Sequence, residues 1–431
     1  MATINTKTRS NLKTHEGAPA KIINAELQLR RSVMACMLWE DSFYEDGQLI
    51  AQRIEETILK VKPEIVANIA IEAREKFKLR HVPLLLARTL AKLKYPISEA
   101  LAKIIQRPDE LTEFLAIYWK DGKQPLSAQV KKGLAKAFTK FDEYQLAKYN
   151  RDNDIKLRDV LFLSHAKPKD DLQADLWKRL VNKELQIPDT WEVNLSAGKD
   201  KKESWERLLQ ENKLGGLAIL RNLRNMTSAN VNIKLIKDSI LKMKTERILP
   251  FRFISAAKYA SQLEQELETA MFKCLIGFEA LKGKTILLVD VSGSMDDAIS
   301  AKSDLKRLDA ACGLGMLLRE VCEDVEIFTF SNNIVHIPPR RGFALRNAIN
   351  SSQPHAGTEL GRAIKTIDAN KEYNRIIVIT DEQSHDRVSD SVGKGYIINV
   401  AAYKNGVGYG KWLHIDGWSE SIINYIQEYE R

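Results

Sequence analysis

"KTILLVDVSGSMDD", Lys284 to Asp297, decides how the second part of this chain is read. The apolar run Ile286–Val289 has the length of a buried strand and ends in Asp290. A small, hydroxyl-rich loop follows, carrying Ser292, Gly293 and Ser294. Four readings are open for it: a catalytic serine, a phosphate cradle, a metal site, or a polar turn after a strand. The rest of the chain decides among them.

Downstream, the pattern alternates between strand and helix. "KRLDAACGLGMLLREVC" reads as a helix, "VEIFTFSN" and "NIVHIP" as strands, and "TELGRAIKTIDAN" as a helix. "NRIIVITDE" and "GYIINVAAY" read as strands before a closing helix, "SESIINYIQEYER". Strands that are apolar on both faces and alternate with helices predict a doubly wound α/β sheet. Upstream, from about residue 20 to 280, short helical patterns follow one another. "AELQLRRSVMACMLWE" places Leu27, Val33, Met37 and Leu38 on one stripe. "GQLIAQRIEETILKV", "PEIVANIAIEAREKF", "VPLLLARTLAKL" and "PDELTEFLAIYWK" continue the series, with Pro63, Pro83 and Pro108 near first turns. Short helices with tight connections predict a HEAT-like helical-repeat solenoid.

The expected organisation is therefore a flexible arm over 1–20, helical repeats over 21–280, and an α/β domain over 281–431. The arm, "MATINTKTRSNLKTHEGAPA", lacks the apolar core of a signal peptide, and no stretch has the length of a membrane span. A cytoplasmic protein without a membrane partner is expected. Cys36, Cys274, Cys312 and Cys322 form no CxxC pair and read as buried reduced thiols. Residues 281–431 hold 18 Lys and Arg against 20 Asp and Glu, whereas 1–280 hold 48 against 37. The net +11 of the first part implies either a polyanion partner or solvated helical faces.

In open α/β sheets, ligands collect at the C-terminal strand ends. Three loops qualify: Asp290 to Ser294, the loop with Gly357 and Thr358, and Thr380-Asp381-Glu382. The DxSxS spacing turns alternate side chains toward one point, and Gly293 lets the backbone curl there. Asp290, Ser292, Ser294, Thr358 and Asp381 offer only oxygen, the ligand set of a hard divalent cation such as Mg²⁺. A phosphate cradle lacks its GxxxxGK[ST] pattern, and a nucleophile elbow lacks its G-x-S-x-G. His336, His355 and His385 could serve as bases, but loop histidines are more often surface residues, so no enzyme is expected.

This region resembles the von Willebrand factor A domain with its metal-ion-dependent adhesion site. The resemblance implies that Ser292, Ser294 and Thr358 contact the metal directly, and that Asp290 and Asp381 act through water. An acidic group from a protein partner would fill the open position.

In the helical part, "KYNRDNDIKLRDVLFLSHAKPK" (148–169) mixes basic residues with a histidine, and "GGLAILRNLRNM" (215–226) repeats L-R-N. Leu217, Leu220 and Leu223 are expected to pack, with Arg221, Asn222, Arg224 and Asn225 facing a central hole or bracing it. Together with the α/β domain, these segments resemble the Ro autoantigen family, also called the TROVE module. The resemblance implies a repeat solenoid closed into a ring. It implies a non-catalytic protein that binds Y-like small RNA and single-stranded 3′ ends of misfolded RNA in RNA quality control. Some relatives tether an exoribonuclease through such an RNA. His165 and Lys148 match family RNA contacts; a third, an arginine, falls on Asp152, with Arg151 beside it. Arg151 and Arg158, seven apart, would share a face if one helix spans both. The alternative reading is a protein–protein adaptor that uses the Mg²⁺ site.

Overall fold

The computed structural model describes residues 13–14, 16–20, 24–36, 46–196, 200–300, 303–403, 406–408 and 410–431. They form two compact units. One is Glu55–Arg247; the other joins the described residues up to Ile54 to Ile248–Arg431.

Glu55–Arg247 is a stack of short helices, as expected from its periodicity. Pro63 and Pro108 each open a helix, Pro63–Glu75 and Pro108–Tyr118, where a missing N–H costs least. Ser127 and Asp170 cap Ala128–Phe138 and Asp171–Asn182 by accepting from Val130 N and Gln173 N. Val66, Ile69, Ala70 and Ala73 line the packed face of Pro63–Glu75. The helix His81–Lys92 is buried continuously from Val82 to Ala91. Arg88, the charged residue in that stretch, pairs with Glu55 and Asp121, which makes its burial tolerable. Neighbouring helices pair in space, Pro63–Glu75 with His81–Lys92 and Ser98–Ile104 with Ala128–Phe138.

In the other unit, six strands among the described residues form one sheet: β1 Leu281–Asp290, β2 Cys322–Phe330, β3 Ile334–Ile337, β4 Arg375–Thr380, β5 Lys394–Asn399 and β6 Leu413–Asp416. Their order is β3-β2-β1-β4-β5-β6. Neighbours are parallel except β3, which runs antiparallel to β2. Side chains alternate between the faces. Ile286, Leu288, Phe328, Ile376 and Val378 meet Ile364 and Ile367 of the helix Leu360–Asn370 on one side. Leu287 and Val289 face Gly315 of the helix Arg307–Val321 on the other. Both faces are covered, which explains why the strands are apolar throughout. The doubly wound α/β expectation holds; β6 and the helix Gly342–Asn350 were not foreseen.

The compact units do not divide at 280/281. The helices Phe251–Tyr259 and Glu264–Phe272 belong with the sheet. The Phe251 ring meets Trp418 edge-on at 5.9 Å, and Lys258 pairs with Asp309 at 2.6 Å. Nor is all of 1–20 an arm. Residues 1–12 and 15 lie outside the described residues, but Ala18 is buried in the sheet's core. Thr14 donates to the Ser384 carbonyl at 2.9 Å, and Glu16 lies 2.9 Å from His385 Nε2.

Helix Ala25–Met34, capped by Asn24, joins the same unit. Its Val33 is buried as expected, Leu27 is 38 % exposed, and Met37 and Leu38 lie outside the described residues. Cys36, Cys312 and Cys322 are buried thiols outside any disulfide, and Cys274 is half-buried. No helix among the described residues is long and apolar enough to cross a membrane.

Candidate metal centre and nucleic-acid interface

Strand order reverses direction at β1 and β4, so a crevice opens beyond their C-terminal ends. Asp290 ends β1, and Asp381 follows β4 directly. Asp290 accepts from Ser292 N at 2.8 Å on one oxygen and from Thr380 Oγ1 at 2.6 Å on the other. The Ser292 and Ser294 hydroxyls lie 3.4 Å apart, close enough for one small cation to touch both. Gly293 N donates to the Ala356 carbonyl at 2.8 Å, tying this loop to the one carrying Thr358. The Thr358 carbonyl in turn accepts from His385 N at 2.8 Å and Ser384 Oγ at 3.0 Å. Thr358 itself is buried. The three loops named from sequence therefore do converge.

Burial, and next the charge of Asp381, push the Asp290 carboxyl up to about 7. Two carboxylates with hydroxyls around them are a cavity short of positive charge. An all-oxygen donor set of this kind fits a hard divalent cation. One cation is already built in, and the sequence reading missed it. Arg307, 2 % exposed, brings Nη1 to 3.3 Å from Asp381 Oδ2 and 3.2 Å from the Ser294 carbonyl. The available signal was an arginine opening a helix that is mostly small and apolar, "RLDAACGLGM".

Gly293 is not the tight-turn residue it was expected to be. Its φ is not positive, and a Cβ there would meet Ala356 O at 3.5 Å, ordinary contact. Gly357 is the constrained one: a Cβ would fall 2.6 Å from Asn332 Oδ1. The loop histidines serve these turns. His385 Nδ1 accepts from Thr358 N at 3.0 Å, and His355 bonds Asp296 and the Asn350 carbonyl. His336 lies on β3, half exposed.

In the helical unit, Arg151 and Arg158 are not on one helix. Glu143–Tyr149 ends before Arg151, and Leu157–Ser164 begins just before Arg158. The intervening turn folds both toward a concavity of about 440 Å³, which Lys156 and Lys183 also line. Asp152 lies in the same concavity and pairs with Lys156 at 2.5 Å, neutralising one of its four cations. Lys148 is not among the lining residues. Its ammonium sits 5.9 Å from the ring centres of Tyr144 and Tyr149.

His165 ends the helix Leu157–Ser164 in the left-handed conformation, φ 53°, with its Nε2 3.4 Å from Lys131 Nζ. Phe162, three residues earlier and 60 % exposed, was overlooked. Arg158, Phe162 and His165 follow helical spacing, so one helix face presents a cation, a bare ring and an imidazole. A surface phenylalanine among basic residues was the readable signal. On the helix Gly216–Ser228, Leu220 and Leu223 pack as expected, and Arg221, Arg224 and Asn225 are exposed. Leu217 is instead 39 % exposed, and Asn222 is buried, donating to the Ala218 carbonyl at 2.9 Å.

The TROVE domain profile matches this sequence over residues 32–183 and 178–277. Telomerase protein component 1 of Mus musculus is 32% identical over 91 residues, and that of Rattus norvegicus 33% over 91. Each stretch covers 20% of this chain and 4% of the relative, so the chain spans only a small part of their length. Among solved structures, the Ro (RSR) protein of Deinococcus radiodurans superposes with a TM-score of 0.60. The match covers 95% of this chain and 99% of that one at 17% identity, and carries the fold.

Proposed function

This chain belongs to the TROVE-domain family, and from that premise we propose that it is a non-catalytic RNA-binding protein. The observation that carries the reading is the concavity of Arg151, Lys156, Arg158 and Lys183, inside the matched segment. Cations held at one surface neutralise successive phosphates and release their counterions. The Phe162 and His165 rings on the adjoining helix face can stack on an unpaired base.

The RNA we assign is a small structured, Y-like non-coding RNA, with single-stranded 3′ ends of misfolded RNA as a second ligand. The role is cytoplasmic RNA quality control, with an exoribonuclease recruited through the bound RNA. Filter binding at moderate salt tests the first step. Measurable affinity for a stem-loop and for RNA with a single-stranded 3′ tail is expected; no affinity for either sinks the reading. Joint substitution of Lys148, Arg151 and His165 should weaken the stem-loop more than the 3′ tail.

A second reading rests on the crevice beyond β1 and β4. Ser292, Ser294 and Thr358 would hold Mg²⁺ directly, with Asp290 and Asp381 acting through water. Once bound, the ion offers a Lewis-acidic position to an acidic group of a protein partner. The chain would then be an adaptor as well as an RNA binder. EDTA or Ser292→Ala should abolish partner capture while leaving RNA affinity unchanged.

A further inference from the structure

The loop after Asp290 runs from Ser294 through a short return, where Ile299 N donates to Leu305 O at 2.7 Å and Arg307 N to Asp297 O at 3.0 Å. This return delivers Arg307 to the floor of the crevice. Its guanidinium is almost wholly buried and touches two of the three elements that make the site. It lies 3.2 Å from the carbonyl of Ser294 and 3.3 Å from the Asp381 carboxylate. A buried guanidinium needs a fixed anion, and Asp381 is that anion. A divalent cation needs the same anion. With Asp290 and Asp381 as the two carboxylates, a guanidinium and a dication together exceed the negative charge available. Gathered around the same two carboxylates, the two cations repel.

We propose that Arg307 is the resident counter-ion of the site, and that cation uptake is an exchange in which Asp381 passes from guanidinium to metal. This rests on the metal reading above and adds a residue that sets affinity and selectivity. A small ion of high charge density can displace the guanidinium, and a monovalent ion cannot. With no metal bound, Arg307 still offsets one of the two carboxylate charges, so the loops keep an internal counter-ion.

The test is Mg²⁺ titration of the full chain by calorimetry, with melting temperature as a second readout. Arg307→Met removes the charge and keeps much of the volume. It should bind Mg²⁺ at least about tenfold tighter than wild type and melt lower in EDTA, with Mg²⁺ closing the gap. Equal or weaker Mg²⁺ affinity in Arg307→Met overturns the exchange while leaving the metal site standing. No binding to either protein overturns the metal reading, and the exchange with it. Should Arg307→Met not fold, the wild type decides by side-chain arginine NMR. The Nε–Hε signal lost in Arg307→Lys must move on adding Mg²⁺, and an unmoved signal rejects the proposal.

Discussion

Arg31 donates from one guanidinium nitrogen to both carboxylate oxygens of Glu382, at 2.6 Å each, across 351 residues of chain. The same guanidinium lies 3.4 Å from Asp416, and His414 Nδ1 is 2.9 Å from Glu382. Burial opposes the Glu382 charge, yet Arg31 and His414 outweigh it and hold the carboxyl below the usual glutamate range. Arg31→Met leaves two acids buried without their guanidinium. Loss of about 3–5 kcal/mol is expected in urea unfolding. Adding Glu382→Leu should recover part of it; strictly additive losses would mean the pair is not coupled.

Asp152 neutralises Lys156 inside the basic concavity. Asp152→Arg frees Lys156 and adds a cation, so it should raise stem-loop affinity about tenfold at moderate salt and steepen the salt dependence by about two counterions. Anisotropy titrations at several KCl concentrations measure both. An unchanged slope would remove this surface from the RNA path.

Phe162 spends its ring on solvent. Phe162→Ala should cost about 1–3 kcal/mol in binding RNA with unpaired bases and almost nothing for a blunt duplex. Equal effects on the two RNAs would argue against stacking.

Glu430 ties the last helix, Ser421–Glu430, to β4. It accepts from Arg375 at 2.7 and 2.5 Å and from Tyr396 at 2.8 Å. Burial raises its pKa, but the Arg375 and Tyr396 hydrogen bonds win and hold it below the ordinary glutamate value. The stability from this depressed pKa is therefore complete above that ordinary value and lost as pH falls through the folded one. Glu430→Gln should cost about 1–2 kcal/mol at pH 7 and flatten the acid limb of the stability curve. A wild-type-shaped acid limb in the variant would contradict this.

Gly293 and Gly357 should part company. Gly293→Ala should melt near wild type and Gly357→Ala lower. The new Cβ at 357 comes 3.2 Å from Cε1 of the His385 ring, which Thr358 N holds in place, whereas the exposed Asn332 side chain can turn away. Circular dichroism melts of the two variants suffice; the reverse order would refute the contact.

The sheet was legible because β1 to β5 are local patterns, apolar and bounded by turn residues. β6, "LHID", has only four residues and no period to read. The three strand-end loops could be found because each metal-site residue sits at a strand end or just before a helix, a position that sequence can mark. Arg307 and Arg31 could not be found that way. Their meaning comes from partners 74 and 351 residues away, and no local spacing records such pairings. Arg151 and Arg158 show the converse. The seven-residue spacing predicted a shared face, a turn replaced the helix, and the concavity still gathered both.

The N-terminal residues fasten late-arriving ones: Thr14 bonds Ser384, Glu16 meets His385, and Arg31 meets Glu382 and Asp416. On the ribosome, this imposes a schedule. Glu55–Arg247 is a continuous stretch and can fold while synthesis continues. The first segment must wait for its partners, Glu382 first and then Asp416 of β6. The crevice beyond β1 and β4 is complete only once Asp381 has emerged, and a stalled product ending before β4 would carry the helices of Glu55–Arg247 without it.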